Sequence, residues 1–108
     1  MAFCEKSDEL TNALVKAEYE EACKEWGNKY NSLHEGYAVL LEEIEEANTE
    51  KLLLDDAINE IWKQVKHNKL ETKEIKRAII HAGFLIKETA QIIAVLLKMQ
   101  NTKEEQEK

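Results

Sequence analysis

The stretch TKEIKRAIIHAGFLIKETAQIIAVLLKM, residues 72–99, decides the fold. Ile75, Ile79, Ala82, Ile86, Ala90, Ile93 and Leu97 recur at the spacing of one helix face. Ile80, Phe84, Ile92, Val95 and Leu96 carry apolar character onto its other sides. A helix that is apolar around much of its girth must bury more than one face. This segment therefore belongs at the centre of a helical bundle, or forms half of a subunit interface.

Upstream, three further helical segments are readable. The first opens near Ser7, with Asp8 and Glu9 suited to a helix start, and runs to about Trp26. Leu10, Leu14, Ala17 and Ala22 lie on one of its faces, and Gly27-Asn28 is a stop signal. The second opens at Ser32, where Ser32-Leu33-His34-Glu35 has the form of a capping box. Tyr37, Leu41 and Ile44 then mark its core face. Thr49 can cap a third segment, about Glu50 to His67, with Leu53, Ala57, Ile61 and Val65 as its stripe. The alternative is one long bent helix through Asn48-Thr49. Asn68 to Glu71 reads as a turn, and Asn101 to Lys108 as a polar, frayed tail.

The 108 residues suit a single domain, 1–108, and the fold class is all-α. There is no proline and only three glycines, so helix breakers are scarce. At 44% hydrophobic and 34% charged, the chain is too apolar for disorder. A net charge of −7 repels phosphate backbones and argues against direct nucleic-acid binding. A phosphate ligand would need a divalent cation between it and these carboxylates. Cys4 and Cys23 form no CxxC pair and read as reduced thiols, and the first ten residues lack a signal-peptide core, so a cytoplasmic location is expected. The longest clean apolar run, Ile92 to Leu97, is far short of the ~20 residues that span a bilayer, so no membrane partner is expected.

The chemistry concentrates in His34 to Ala47, HEGYAVLLEEIEEA. On a helix, Glu42, Glu43 and Glu46 fall within an arc of about 100°. That arc lies roughly opposite Tyr37, Leu41 and Ile44, which favours an ordinary solvated face. Against this, like charges one turn apart repel, and no lysine or arginine lies between Tyr30 and Glu50 to relieve them. A hard divalent cation would. Downstream, Glu88 and Gln91 share a side of the apolar helix with Phe84, Ile92 and Val95. Carboxylates are rarely buried without a partner, so Glu88 with Gln91 opposite the three glutamates would make an oxygen-rich site. Other chemistries find no support. His34 starts no HExxH motif, because residue 38 is Ala, and no histidine has a glutamate three residues before it, as a di-iron bundle requires. His81 reads as a satisfied core histidine, Cys23 as inert, and Trp26, Tyr30 and Trp62 as core-closing aromatics that could also stack on a base.

Glu42-Glu43-x-x-Glu46 on one helix and Glu88-x-x-Gln91 on a later apolar helix resemble the EExxE and ExxD motifs of the MazG-type all-α nucleoside triphosphate pyrophosphohydrolases. The region of about 30–99 is similar to the small phage-encoded MazG-like branch, notably at HEGYAV and at Lys87-Glu88-Thr89-Ala90-Gln91. The resemblance implies a four-helix fold, completed by dimerisation or tetramerisation. It implies Mg²⁺, or Mn²⁺, held by Glu42, Glu43, Glu46, Glu88 and Gln91. It also implies hydrolysis of a nucleoside triphosphate to the monophosphate and pyrophosphate. Glu43 or Glu46 would orient the attacking water, and Lys87 or Lys98 would meet the phosphates. Two departures stand out. Gln91 replaces the usual Asp, and Lys51 to Asn68 lengthens the gap between the motifs. The rival readings are a binding module that has lost activity, and a bundle whose acids only face solvent.

Overall fold

A computed structural model describes residues 8–108, without the side chain of Trp26. The described residues form three helices: α1 (Glu9–Trp26), α2 (Leu33–Lys66) and α3 (Thr72–Gln106). No strand occurs among the described residues. Ser7, expected to open α1, lies outside them. The cap is Asp8, whose Oδ1 accepts the Thr11 amide at 2.7 Å. Gly27 closes α1 with φ +79°, a left-handed conformation natural to glycine. Ser32 caps α2 as expected, its Oγ accepting the Glu35 amide at 3.1 Å. Glu35 in turn accepts from the Asn31 side-chain amide at 3.0 Å.

The second and third segments are one continuous helix, so the described residues form three helices rather than four. Thr49 starts nothing new. Its hydroxyl donates back to the Glu45 carbonyl at 3.1 Å, one turn earlier in the same helix. Neither glycine nor proline is near to interrupt it. The expected frayed tail is also ordered helix, to Gln106. Thr102 is buried there. It accepts the Tyr30 amide at 2.9 Å and donates to the Lys98 carbonyl at 2.8 Å. Asn101 donates to Tyr19 Oη and to the Asn28 carbonyl, at 2.8 and 2.9 Å. Hydrogen bonds, not apolar burial, fasten this tail to the α1–α2 connection.

α3 lies between α1 and α2 and packs on both, as its apolar girth requires. By length and composition α3 could cross a membrane, with a mean hydropathy of 1.5 over its most apolar window. It nonetheless carries Lys87 and Glu88 near its middle. The buried hydrophobic residues are small: Val15, Ala47, Ala57, Ala90, Ala94 and Val95. On α1 the inner position is Val15, 1% exposed, whereas Leu10 is 85% exposed. The main departure concerns α2. Tyr37, Leu41 and Ile44, read as its core face, point outward at 55, 48 and 37% exposure. The side turned to α3 is the one bearing Gly36, Glu43, Ala47 and Ala57. Small residues explain the choice, because they let two backbones approach. A Cβ on Gly36 would stand 2.7 Å from Met99 Cγ and 2.9 Å from Tyr30 Cδ2.

Candidate metal centre

Because α2 presents that side to α3, Glu43 faces inward across a helix seam, with Glu46 at its exposed edge. One carboxylate oxygen from each of Glu43, Glu46 and Glu88 lies within 4.8 Å of the other two. Glu43 and Glu46 come from consecutive turns of α2, and Glu88 from the antiparallel α3. Glu43 Oε2 and Glu88 Oε2 are buried without a hydrogen-bond partner. Burial and the charges of Glu46, Glu88, Glu42 and Glu18 push the Glu43 carboxyl up to about 6. Glu88 is raised too, by burial first, then by a hydrogen bond with Glu46 and by the charges of Glu46 and Glu50. A hydrogen bond between two carboxyls exists only while one holds a proton. The cluster therefore carries more negative charge than its surroundings satisfy. Protons can relieve it, and so can a hard cation that prefers oxygen ligands.

The remaining predicted site residues separate. Glu42 raises Glu43 by its charge but is itself exposed and outside the converging trio. Gln91 turns toward α1, where its Nε2 donates to Glu18 Oε2 at 3.3 Å. Lys87 is exposed and acts on Glu88 only through its charge. Lys98 is 3% exposed. Its Nζ donates to the Ala22 carbonyl at 3.3 Å and sits 4.4 Å from the centroid of the Tyr30 ring. Lys98, Tyr30, Gln91, Glu18 and Glu43 share the lining of one cleft of about 320 Å³ between the three helices. Burial and the negative charges of Glu43 and Glu35 push Tyr30 up to about 12. The cleft thus joins the acidic cluster to a buried ammonium.

Two residues were not singled out as site residues, Glu50 and Glu18. Glu50 lies one turn beyond Glu46 on the same side of α2 and is close enough to raise Glu88. The i, i+3, i+7 run of Glu43, Glu46 and Glu50 was a signal for it. His81 is satisfied as expected, though by an acid: its Nδ1 lies 2.8 Å from Glu50 Oε2. Glu18 had no such signal, because only the packing of α1 on α3 brings it to the cleft. His34 and Trp62 are exposed, and Lys66 lies 5.6 Å over the Trp62 ring. Comparison with protein-family models, curated proteins and solved structures finds no match to this chain.

Proposed function

We propose that the protein is a divalent-cation-dependent nucleotide pyrophosphohydrolase, cleaving a nucleoside triphosphate to the monophosphate and pyrophosphate. The observation that carries this reading is the convergence of Glu43, Glu46 and Glu88 with two buried, unpartnered carboxylate oxygens. Such a donor set fits Mg²⁺ or Mn²⁺, which take oxygen ligands. The cation would supply charge neutralisation on the phosphates and on the departing pyrophosphate. Glu43, Glu46 and Glu88 would hold it. Glu43 lines the cleft and is the best placed to accept a proton from the attacking water. That water adds to the α-phosphorus, the bridging P–O bond to the β-phosphate breaks, and pyrophosphate leaves with the electron pair. Lys98 would meet phosphate oxygens from within the cleft. Tyr30 shapes the wall beside it. The four-helix bundle expected of the resemblance would then be completed between copies, each contributing only some of its three helices.

A second reading is a module that binds a cation or nucleotide without turnover. Its support is Gln91, which is neutral and tied to Glu18 instead of the cluster. Pyrophosphate release from a panel of ribo- and deoxyribonucleoside triphosphates, in Mg²⁺ or Mn²⁺ and beside Glu43→Gln, separates the two. Release by the parent and loss in the variant supports the enzyme. No release from any nucleotide by folded protein leaves the binding module.

A further inference from the structure

The outward side of α2 is apolar in a repeating way. Tyr37, Leu41 and Ile44 are followed, each 21 positions later, by Ile58, Trp62 and Val65. Twenty-one residues are three heptads, so both sets lie on one seam of a left-handed coiled coil. All six are 37–59% exposed. Between them the same seam carries Asn48, Lys51 and Asp55. Three apolar positions, three polar ones and three apolar ones follow in order, and the pattern reads much the same in both directions from Lys51. Tyr37 and Val65 stand equally far from Lys51, as do Ile44 and Ile58.

We propose that this face pairs with the same face of a second copy, α2 antiparallel to α2 across a twofold axis near residue 51. A twofold contact is self-complementary, and an approximately palindromic seam supplies that complementarity. The antiparallel arrangement sets Tyr37, Leu41 and Ile44 of one copy against Ile58, Trp62 and Val65 of the other. It sets Lys51 against its own counterpart at the axis, with Asp55 of the other copy one helical turn away, about 6 Å along the seam, to offset that contact as Asp55 offsets Lys51 within one helix at 2.7 Å. A parallel pairing in register would also stack Asp55 on Asp55, which the antiparallel pairing sets about 12 Å apart along the seam. Polar residues at a few seam positions are a known device for fixing register.

The dimensions support a second copy as the occupant. The radius of gyration is 17.6 Å, against about 13 Å for a compact chain of this length. The accessible surface is 7865 Å², about 1,700 Å² above the ~6,200 Å² of a compact 12.5 kDa monomer. A stable dimer needs about 800 Å² per partner. The inference is independent of the proposed reaction, so either can fail alone.

The test is sedimentation of the parent protein beside Leu41→Glu, Trp62→Glu and the off-seam control Leu10→Glu. The parent and the control should run as a dimer, or as a tetramer built from two such dimers. Each seam variant should halve that mass while keeping its helical circular dichroism. Orientation is read by pulsed electron–electron resonance with Cys4→Ser and Cys23→Ser as background. A label at Leu52→Cys should report a separation under about 20 Å, and one at Lys63→Cys about 36 Å along the helices. Short distances from both labels would mean a parallel pair and overturn the proposal. So would a monomeric parent, a parent that floats with lipid vesicles as a monomer, or an oligomer indifferent to both seam substitutions.

Discussion

Glu43→Gln should make the cation-free protein more stable at pH 8, although it removes a candidate catalytic group. The carboxyl rises from 4.5 to about 6 on folding, chiefly through burial and then through its acidic neighbours. A group whose folded pKa lies above its unfolded value stabilises the fold below the unfolded pKa. That contribution is lost as pH rises through the folded value, here between pH 4.5 and about 6. Above this window the folded protein holds an ionised carboxylate where it prefers a proton. At about 1.4 kcal/mol per pH unit the ceiling is about 2 kcal/mol, and screening at a partly exposed side chain reduces it to about 1 kcal/mol. Glutamine keeps the shape, carries no charge and offers N–H donors to the crowded oxygens. For a chain of this size 1 kcal/mol corresponds to a rise of roughly 4–8 °C in Tm. The assay is thermal unfolding of both proteins in EDTA at pH 8 and at pH 4.5, at one fixed concentration. The gap should shrink at the lower pH. Added Mg²⁺ should then stabilise the parent more than the variant. A variant less stable than the parent at pH 8 in EDTA would refute the reasoning.

Three further outcomes follow from the same geometry. At limiting cation concentration turnover should rise with pH through about 6, because the cation competes with the proton on Glu43, and raising Mg²⁺ should move that rise to lower pH; a rate that falls over that range would remove Glu43 from the site. Gly36→Ala should cost about 1–3 kcal/mol, since the new Cβ meets Met99 and Tyr30 at 2.7 and 2.9 Å, and denaturant unfolding at matched pH reads the loss. Thr102→Val should cost about 1–2 kcal/mol by stranding the Tyr30 amide, and faster amide hydrogen exchange at Tyr30 should accompany it.

The helical fold is legible in the spacing of Ile75, Ile79, Ala82 and Ile86 and in the cap at Ser32, because periodicity and capping are local properties. The central place of α3 follows from its girth. The continuity of α2 is not legible in sequence, since Thr49 can cap a new helix or bond back into the old one, and only the running backbone decides. The orientation of α2 is opposite to the one its apolar pattern predicts. Its largest apolar residues suggested the core face, yet α3 packs on the face of Gly36, Ala47 and Ala57, where small side chains permit close approach. That inversion carries Glu43 inward and leaves Glu46 at the exposed edge of the seam. It also leaves the heptad face of Tyr37, Leu41 and Ile44 in solvent. Glu43, Glu46 and Glu88 were legible as a candidate set from their motif spacing. Gln91 was grouped with them because it shares a side of α3, but an amide can turn to either neighbour and here it bonds Glu18 on α1. The ordered tail was missed because Asn101 and Thr102 act through hydrogen bonds to distant residues, which leave no apolar period.

The most direct test of the account is a titration of Mn²⁺ into the folded protein, followed by the loss of the free-ion electron paramagnetic signal. The parent should take up the ion saturably, and Glu88→Gln and Glu43→Gln should each weaken that uptake at least tenfold while remaining helical. No uptake by the parent, or uptake unchanged in both variants, would contradict a cation site on the α2–α3 seam.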